Sequence, residues 1–91
     1  MSLPQLAVAF VRAHPAVTSV IIGPRTMEQL DDLLAASDVE LSGEVLDRID
    51  EIVPPGVDLN RADAYYVPHP ATVDKTLRRR CGHPQSKFMV R

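Results

Sequence analysis

The sequence predicts an α/β chain in the order helix, strand, helix, helix, followed by an irregular tail. Three observations predict it. β-branched residues crowd Val17–Ile22 in "VTSVIIGPRTMEQLDDLL", which suits a strand buried on both faces. Helix-capping signals stand before apolar stretches on either side of that segment. Charge and proline divide the chain near Pro54-Pro55-Gly56: residues 1–53 carry three basic and nine acidic side chains, residues 54–91 seven basic and three acidic, and five of the eight prolines lie in the second part. A region at 1–53 is therefore expected to precede a proline-containing basic tail at 54–91.

Each element has its own warrant. Ser2-Leu3-Pro4-Gln5 has the capping-box pattern with proline early in the first turn. Leu3, Leu6, Ala7, Phe10 and Val11 then repeat at helical spacing, and Val8 and Ala9 make the helix apolar nearly all round. Pro15 disfavours helical geometry at His14, so the helix should span about 3–14. The strand is placed at 17–22, ended by Gly23-Pro24. Thr26-Met27-Glu28-Gln29 is a second capping box, and Met27, Leu30, Leu33 and Leu34 supply the apolar face of a helix over about 27–36. Ser42 caps a third helix over about 43–53, with Leu41 and Leu46 placed as a hydrophobic staple and Ile49, Ile52 and Val53 continuing the stripe. Beyond Gly56 periodicity fails, apart from a short helical turn near Thr72–Arg79.

Composition excludes several classes. At 91 residues with 4% aromatic content and no tryptophan, the chain is at most one small domain with a modest core. No apolar run approaches the 18 or so residues of a membrane span, and no signal peptide is read. The single Cys81 excludes an internal disulfide and fits a reducing, cytoplasmic setting.

One buried strand is not a sheet. Its N–H and C=O groups need partners on both sides, and each left buried and unpaired costs on the order of 1–3 kcal/mol. Either this segment pairs with a second copy of the chain, or it abandons strand geometry, or other strands have been lost. The order of elements is that of the end of a repeating β/α chain.

The stretch "AVTSVIIGPRTMEQLDDLLAASDVELSGEVLDRIDEI" resembles the C-terminal end of the aldo/keto reductases, (β/α)8 TIM-barrel enzymes that use NADP(H) to reduce aldehydes or ketones. The likeness covers about residues 3–53 and extends plausibly into "ADAYYVP…LRRR". It implies that the chain is a C-terminal fragment comprising the seventh barrel helix, the eighth strand, the eighth helix and one extra helix. It implies cofactor-binding roles for Gly23, Pro24, Arg25, Gln29 and Asp32: Arg25 on the 2′-phosphate of NADP(H), Gln29 and Asp32 toward the adenosine end, and Gly23 and Pro24 shaping the loop. General physics points the same way, because barrel ligands gather at the C-terminal strand ends and helix N-termini favour anions. Leu33 stands where the family commonly has an Asn that reads adenine, and an apolar side chain replaces neither amide donor nor acceptor. The family's catalytic Asp, Tyr, Lys and His belong to early strands to which nothing here corresponds. No catalytic role is therefore transferred, and the isolated fragment is expected to be inactive and to bind no cofactor.

Plainer readings stand beside these. Gln29 is equally the reciprocal partner in the Thr26 capping box. His14 reads as a helix-end residue whose charge suits the C-terminal dipole. Cys81, His83 and His69 have spacings of no closed zinc site, and no metal is expected. The segment after Gly56 is expected to wrap over a surface or stay mobile, and Arg78-Arg79-Arg80 reads as a solvated tail, with folding back on the acidic helices as one variant of that reading. A helix-turn-helix fails because Glu44, Asp47, Asp50 and Glu51 outnumber Arg48 on the presumed reading helix. Neither nucleic acid nor membrane is an expected partner. The alternative to a reductase segment is a non-enzymatic helical module that self-associates through exposed apolar faces, so a homodimer or higher oligomer is expected.

Overall fold

The computed structural model describes residues 1–58, 60, 62 and 68–79. Five helices lie in these ranges: α1 (Leu3–Arg12), α2 (Met27–Ala35, continued by a 3₁₀ turn at Ala36–Asp38), α3 (Gly43–Ile52) and two single turns, α4 (Pro70–Val73) and α5 (Lys75–Arg78).

Local chemistry starts and stops each helix. Ser2 caps α1, its hydroxyl accepting from Gln5 N–H at 3.3 Å while the Gln5 carbonyl oxygen accepts from Ser2 N–H at 3.1 Å. This capping box satisfies two of the donors that every helix start leaves open. Thr26 and Ser42 cap α2 and α3 by accepting from Gln29 N–H (3.2 Å) and Val45 N–H (3.3 Å). α1 ends at Arg12, two residues before the expected boundary at His14. His69 and Asp74 cap the two short turns through Ala71 N–H and Thr76 N–H.

α1 packs against α2 and its 3₁₀ extension. The seam holds Ala9 and Ala36, and Ala36 is 0% exposed, so two methyl groups set the approach. Arg12 stands at the end of this seam and donates Nη1–H bonds to the carbonyls of Ala36 (2.8 Å) and Ser37 (2.9 Å). These carbonyls lie at the α2 end, where a cation is favoured. Besides Ala9 and Ala36 only Leu46 is a buried hydrophobe among the described residues. Ile52 and Val53, expected to continue the α3 stripe toward the core, are exposed.

The strand expected at 17–22 is not formed. No β-strand occurs among the described residues, and Val17–Pro24 runs without regular secondary structure. The physical reason is the lack of a partner among the described residues: none of their segments pairs with it, and the N–H groups of Thr18 through Gly23 find no acceptor there. Water satisfies such groups only where they are exposed, and Ile21 is 97% exposed. Of the three outcomes open at the level of sequence, the single chain takes the loss of strand geometry.

After α3 the chain turns at Pro54-Pro55-Gly56-Val57, closed by Val57 N–H to Pro54 C=O at 3.3 Å. Gly56 has φ 79°, and proline followed by a residue of positive φ is the type II turn pattern. The tail then folds back on α3, which corrects the reading of Arg78 and Arg79 as solvated: their side chains are 12% exposed because acidic partners on α3 take them up. Arg78 grips Asp50 with two parallel bonds, Nη1–Oδ1 at 3.0 Å and Nη2–Oδ2 at 2.5 Å. Arg79 bonds Asp50 as well and reaches Asp47 at 2.8 Å, where Lys75 Nζ also lies at 2.7 Å. Arg80 lies outside the described residues, as do Cys81 and His83. His14 corrects a further expectation. Its Nδ1 accepts from Ala16 N–H (3.1 Å) and its Nε2 faces the Ala71 carbonyl at 2.9 Å. A carbonyl only accepts, so both bonds require the neutral Nε2–H tautomer rather than a cation.

The clamp on α3 has a pH signature. Hydrogen bonds from Lys75 and Arg79 hold the Asp47 carboxyl below the usual carboxylate range. At Asp50 partial burial pushes upward, but the bonds from Arg78 and Arg79 outweigh it and leave that carboxyl lowered too. A carboxylate with a depressed folded-state value contributes stability that is full above its unfolded value of about 3.9 and lost as pH falls through the lower folded value. Carboxyl ¹³C titrations of Asp47 and Asp50 are therefore expected to have midpoints below about 3.9, with the amide shifts of residues 71–78 changing in step. Midpoints at the ordinary value would show the clamp open in solution.

Candidate functional site

Gly23-Pro24-Arg25-Thr26 leads into α2, and two side chains shape this corner. Thr26 Oγ1 takes the Gln29 N–H, while Gln29 Oε1 reaches back to the Arg25 N–H at 2.9 Å. Gln29 thus bonds one residue beyond the Thr26 amide that a reciprocal capping box would use. The result is a loop pinned at Arg25 by its backbone, with the side chain exposed. Among the described residues nothing pairs with the Arg25 guanidinium, and the N–H groups of Thr26, Met27 and Glu28 have no acceptor.

A Cβ added at Gly23 meets nothing within 4 Å, and the φ of Gly23 is not positive. Neither packing nor backbone strain in the single chain requires glycine there. Its smallness matters only to something approaching from outside. The electrostatics are mixed: Arg25 and the helix start favour an anion, while Glu28 in the first turn of α2 opposes one.

Asp32 has a different placement. Both of its oxygens accept from Ser2 Oγ (3.0 and 2.9 Å), and Oδ1 accepts from Gln5 Nε2 at 2.7 Å. It therefore faces the capped start of α1 and closes a Ser2–Gln5–Asp32 network. The structure brings Arg25 and Gln29 together and directs Asp32 elsewhere. That long-range pairing escaped the sequence reading, which saw Ser2-x-x-Gln5 as a self-contained box. The only sequence signal is two polar side chains opening an otherwise apolar helix.

Leu33 lines an open apolar cleft of about 280 Å³ between α1 and the unpaired segment, with Ala7, Val8, Val11, Val20 and Ile22 around it. The residue at the position where an adenine-reading amide was looked for is thus an apolar wall. No group of His, Cys, Asp and Glu that could hold a metal occurs among the described residues, and His69 is occupied as a helix cap. No helix is long and apolar enough to cross a membrane among those residues.

Asp32 and Arg25 should separate cleanly by stability. Asp32→Ala removes charge-assisted bonds to Ser2 and Gln5 and is expected to cost about 1–2 kcal/mol, a fall in Tm of roughly 4–8 °C per kcal/mol. Arg25→Ala should stay within about 0.5 kcal/mol. Thermal unfolding followed by circular dichroism measures both, and equal effects would contradict this division of roles.

Part of this chain is similar to known proteins. The family described as "Aldo/keto reductase family" matches residues 1–54. The chain is 43% identical over 61 residues to "Uncharacterized oxidoreductase YrpG" of Bacillus subtilis (strain 168), covering 66% of this chain and 19% of that protein. It is 42% identical over 48 residues to "Protein tas" of Escherichia coli (strain K12), covering 53% of this chain and 14% of that one. The chain therefore spans less than a fifth of the length of these relatives. No solved structure matches it. With the match covering α1, the Gly-Pro-Arg loop, α2 and α3, the chain belongs to the aldo/keto reductase family.

Proposed function

We propose that residues 1–53 form part of an NADP(H) site of an aldo/keto reductase, an oxidoreductase acting on aldehydes or ketones, and that this chain alone is catalytically incomplete. The observation that carries the reading is the Arg25 corner. Among the described residues it combines an exposed guanidinium, three amides without acceptors at a capped helix start, and a glycine that no neighbour or backbone angle requires. A phosphate monoester fits such a corner, because guanidinium and amide donors match its oxygens and the helix start favours its charge. The family generally uses NADP(H), and the 2′-phosphate is the group that Arg25 suits.

In this reading Gly23 and Pro24 shape the approach, Arg25 binds the phosphate, and Gln29 holds the Arg25 backbone in place. Asp32 serves the cofactor end only if it exchanges its α1 partners, and Leu33 offers no amide to adenine. Affinity in the single chain is accordingly weak, since most of the cofactor lacks a wall to lie against. A cytoplasmic setting belongs to the same proposal.

The test uses the phosphate-bearing half of the cofactor. Adenosine 2′-monophosphate, titrated to millimolar concentration against ¹⁵N-labelled chain, is expected to shift the amides of Gly23 and of Arg25 through Glu28 more than unphosphorylated adenosine does. Arg25→Ala should lower the affinity at least about tenfold. Equal responses to the two ligands, or an unchanged response in Arg25→Ala, would remove the phosphate role.

A second reading, self-association as a homodimer or higher oligomer, is favoured by a separate observation. Thr18 through Gly23 present donors without acceptors beside an apolar cleft, with Ile21 97% exposed. Backbone donors without acceptors beside apolar side chains offer a site for pairing with another chain. Sedimentation equilibrium is expected to give a mass above that of the monomer, falling toward it in Ile21→Lys. A monomer at high concentration would sink this reading and leave the phosphate proposal untouched.

A further inference from the structure

α3 packs on neither α1 nor α2 through a helix–helix interface of any extent, yet it carries the acidic residues that receive the tail. The returning segment touches the rest of the molecule at three separated places. Its first part covers the Pro54–Val57 turn: a Cβ at Gly56 would lie 3.0 Å from Val73 Cγ2 and 3.3 Å from Pro68 Cβ. Its middle reaches the end of α1, where the Ala71 carbonyl accepts from His14 Nε2–H at 2.9 Å. Its last part grips α3 through Arg78 and Arg79, whose side chains are 12% exposed, against Asp50 at 19%.

From this geometry we infer that residues 68–79 act as a cross-brace that holds α3 in place relative to α1 and engages or releases as one unit. The three contacts suit that role. Gly56 combines positive φ with a close neighbour on the tail, so the brace seats only where a hydrogen atom replaces a side chain. The His14 ring is bonded on both nitrogens, which selects one neutral tautomer and orients the ring toward Ala71. The Arg78–Asp50 pair is bidentate and mostly shielded from water, so it has direction as well as charge. Two single-turn helices have almost no stability of their own, and α4 and α5 are of that length. Their order therefore depends on the anchors at either end, and loss of one weakens the other.

The test reads one anchor while breaking the other, in the full chain at pH 8. Long-range ¹H–¹⁵N spectra of His14 distinguish the Nε2–H tautomer from the mixture of a free imidazole, and amide exchange follows α1, α2 and α3 separately. In the wild type a dominant Nε2–H tautomer is expected. Asp50→Asn, distant in sequence from His14, should move that signal toward the mixture and raise amide exchange in α3 at least roughly tenfold, while α1 and α2 keep their protection. Gly56→Ala should do the same by crowding Val73, and it serves where Asp50→Asn fails to fold. An unchanged His14 signal in both variants would overturn the proposal, as would unchanged exchange in α3 or simultaneous loss of protection in α1 and α2.

Discussion

The backbone from Thr18 to Gly23 is the constraint around which this chain arranges itself. Six consecutive amides without acceptors among the described residues cannot be placed in a dry interior, where each would forfeit on the order of 1–3 kcal/mol. They must face water or a partner. The apolar side chains of the same segment are carried to the surface with them, so Ile21 stands almost fully exposed and Val20 and Ile22 form one wall of an open cleft. A segment that elsewhere would be the centre of a core is its margin here.

With the apolar centre displaced, polar contacts carry much of the arrangement. Asp32 joins α2 to the start of α1, Arg12 joins the end of α1 to the end of α2, and Asp50 joins α3 to the tail. Solvent-exposed ion pairs contribute little, about 0–1 kcal/mol each; the exposed Arg48–Glu51 pair at 2.6 Å is of that kind. The three linking contacts differ because they are at least partly shielded, and because each ties groups far apart in sequence. One of them, Arg12 on the carbonyls of Ala36 and Ser37, also occupies the open end of a helix, so the same bond that joins two elements satisfies a cap.

That economy shapes the site. Gln29 has one carbonyl oxygen, and spending it on the Arg25 amide rather than on Thr26 stiffens the loop at the residue whose side chain projects to solvent. Asp32, one turn further along α2, is drawn to α1 by two donors. The corner left facing outward is small and cationic on one side, with Glu28 on the other. The corner itself carries little of the apolar and aromatic surface that an extended ligand needs along its length.

Caps and ends were legible because they are short-range: Ser2, Thr26 and Ser42 each bond an amide three residues on, and Pro15 restricts its immediate predecessor, whatever the rest of the molecule does. The excess of arginine in the tail over an acidic α3 left their meeting as one open outcome beside a solvated tail, since opposite charge favours contact without fixing its geometry. The family was legible for a related reason, as the Gly-Pro-Arg loop and its flanking helices lie within one contiguous stretch. Tertiary structure alone decided the rest. β-branched residues at 17–22 declare a preference for extended backbone, but a strand exists only where another strand lies beside it. Which oxygen Gln29 satisfies, where Asp32 turns, and which tautomer His14 adopts depend on partners brought up by folding, up to 57 residues away in the case of Ala71. Periodicity and propensity see only a residue's neighbours in sequence, whereas hydrogen bonds answer to its neighbours in space.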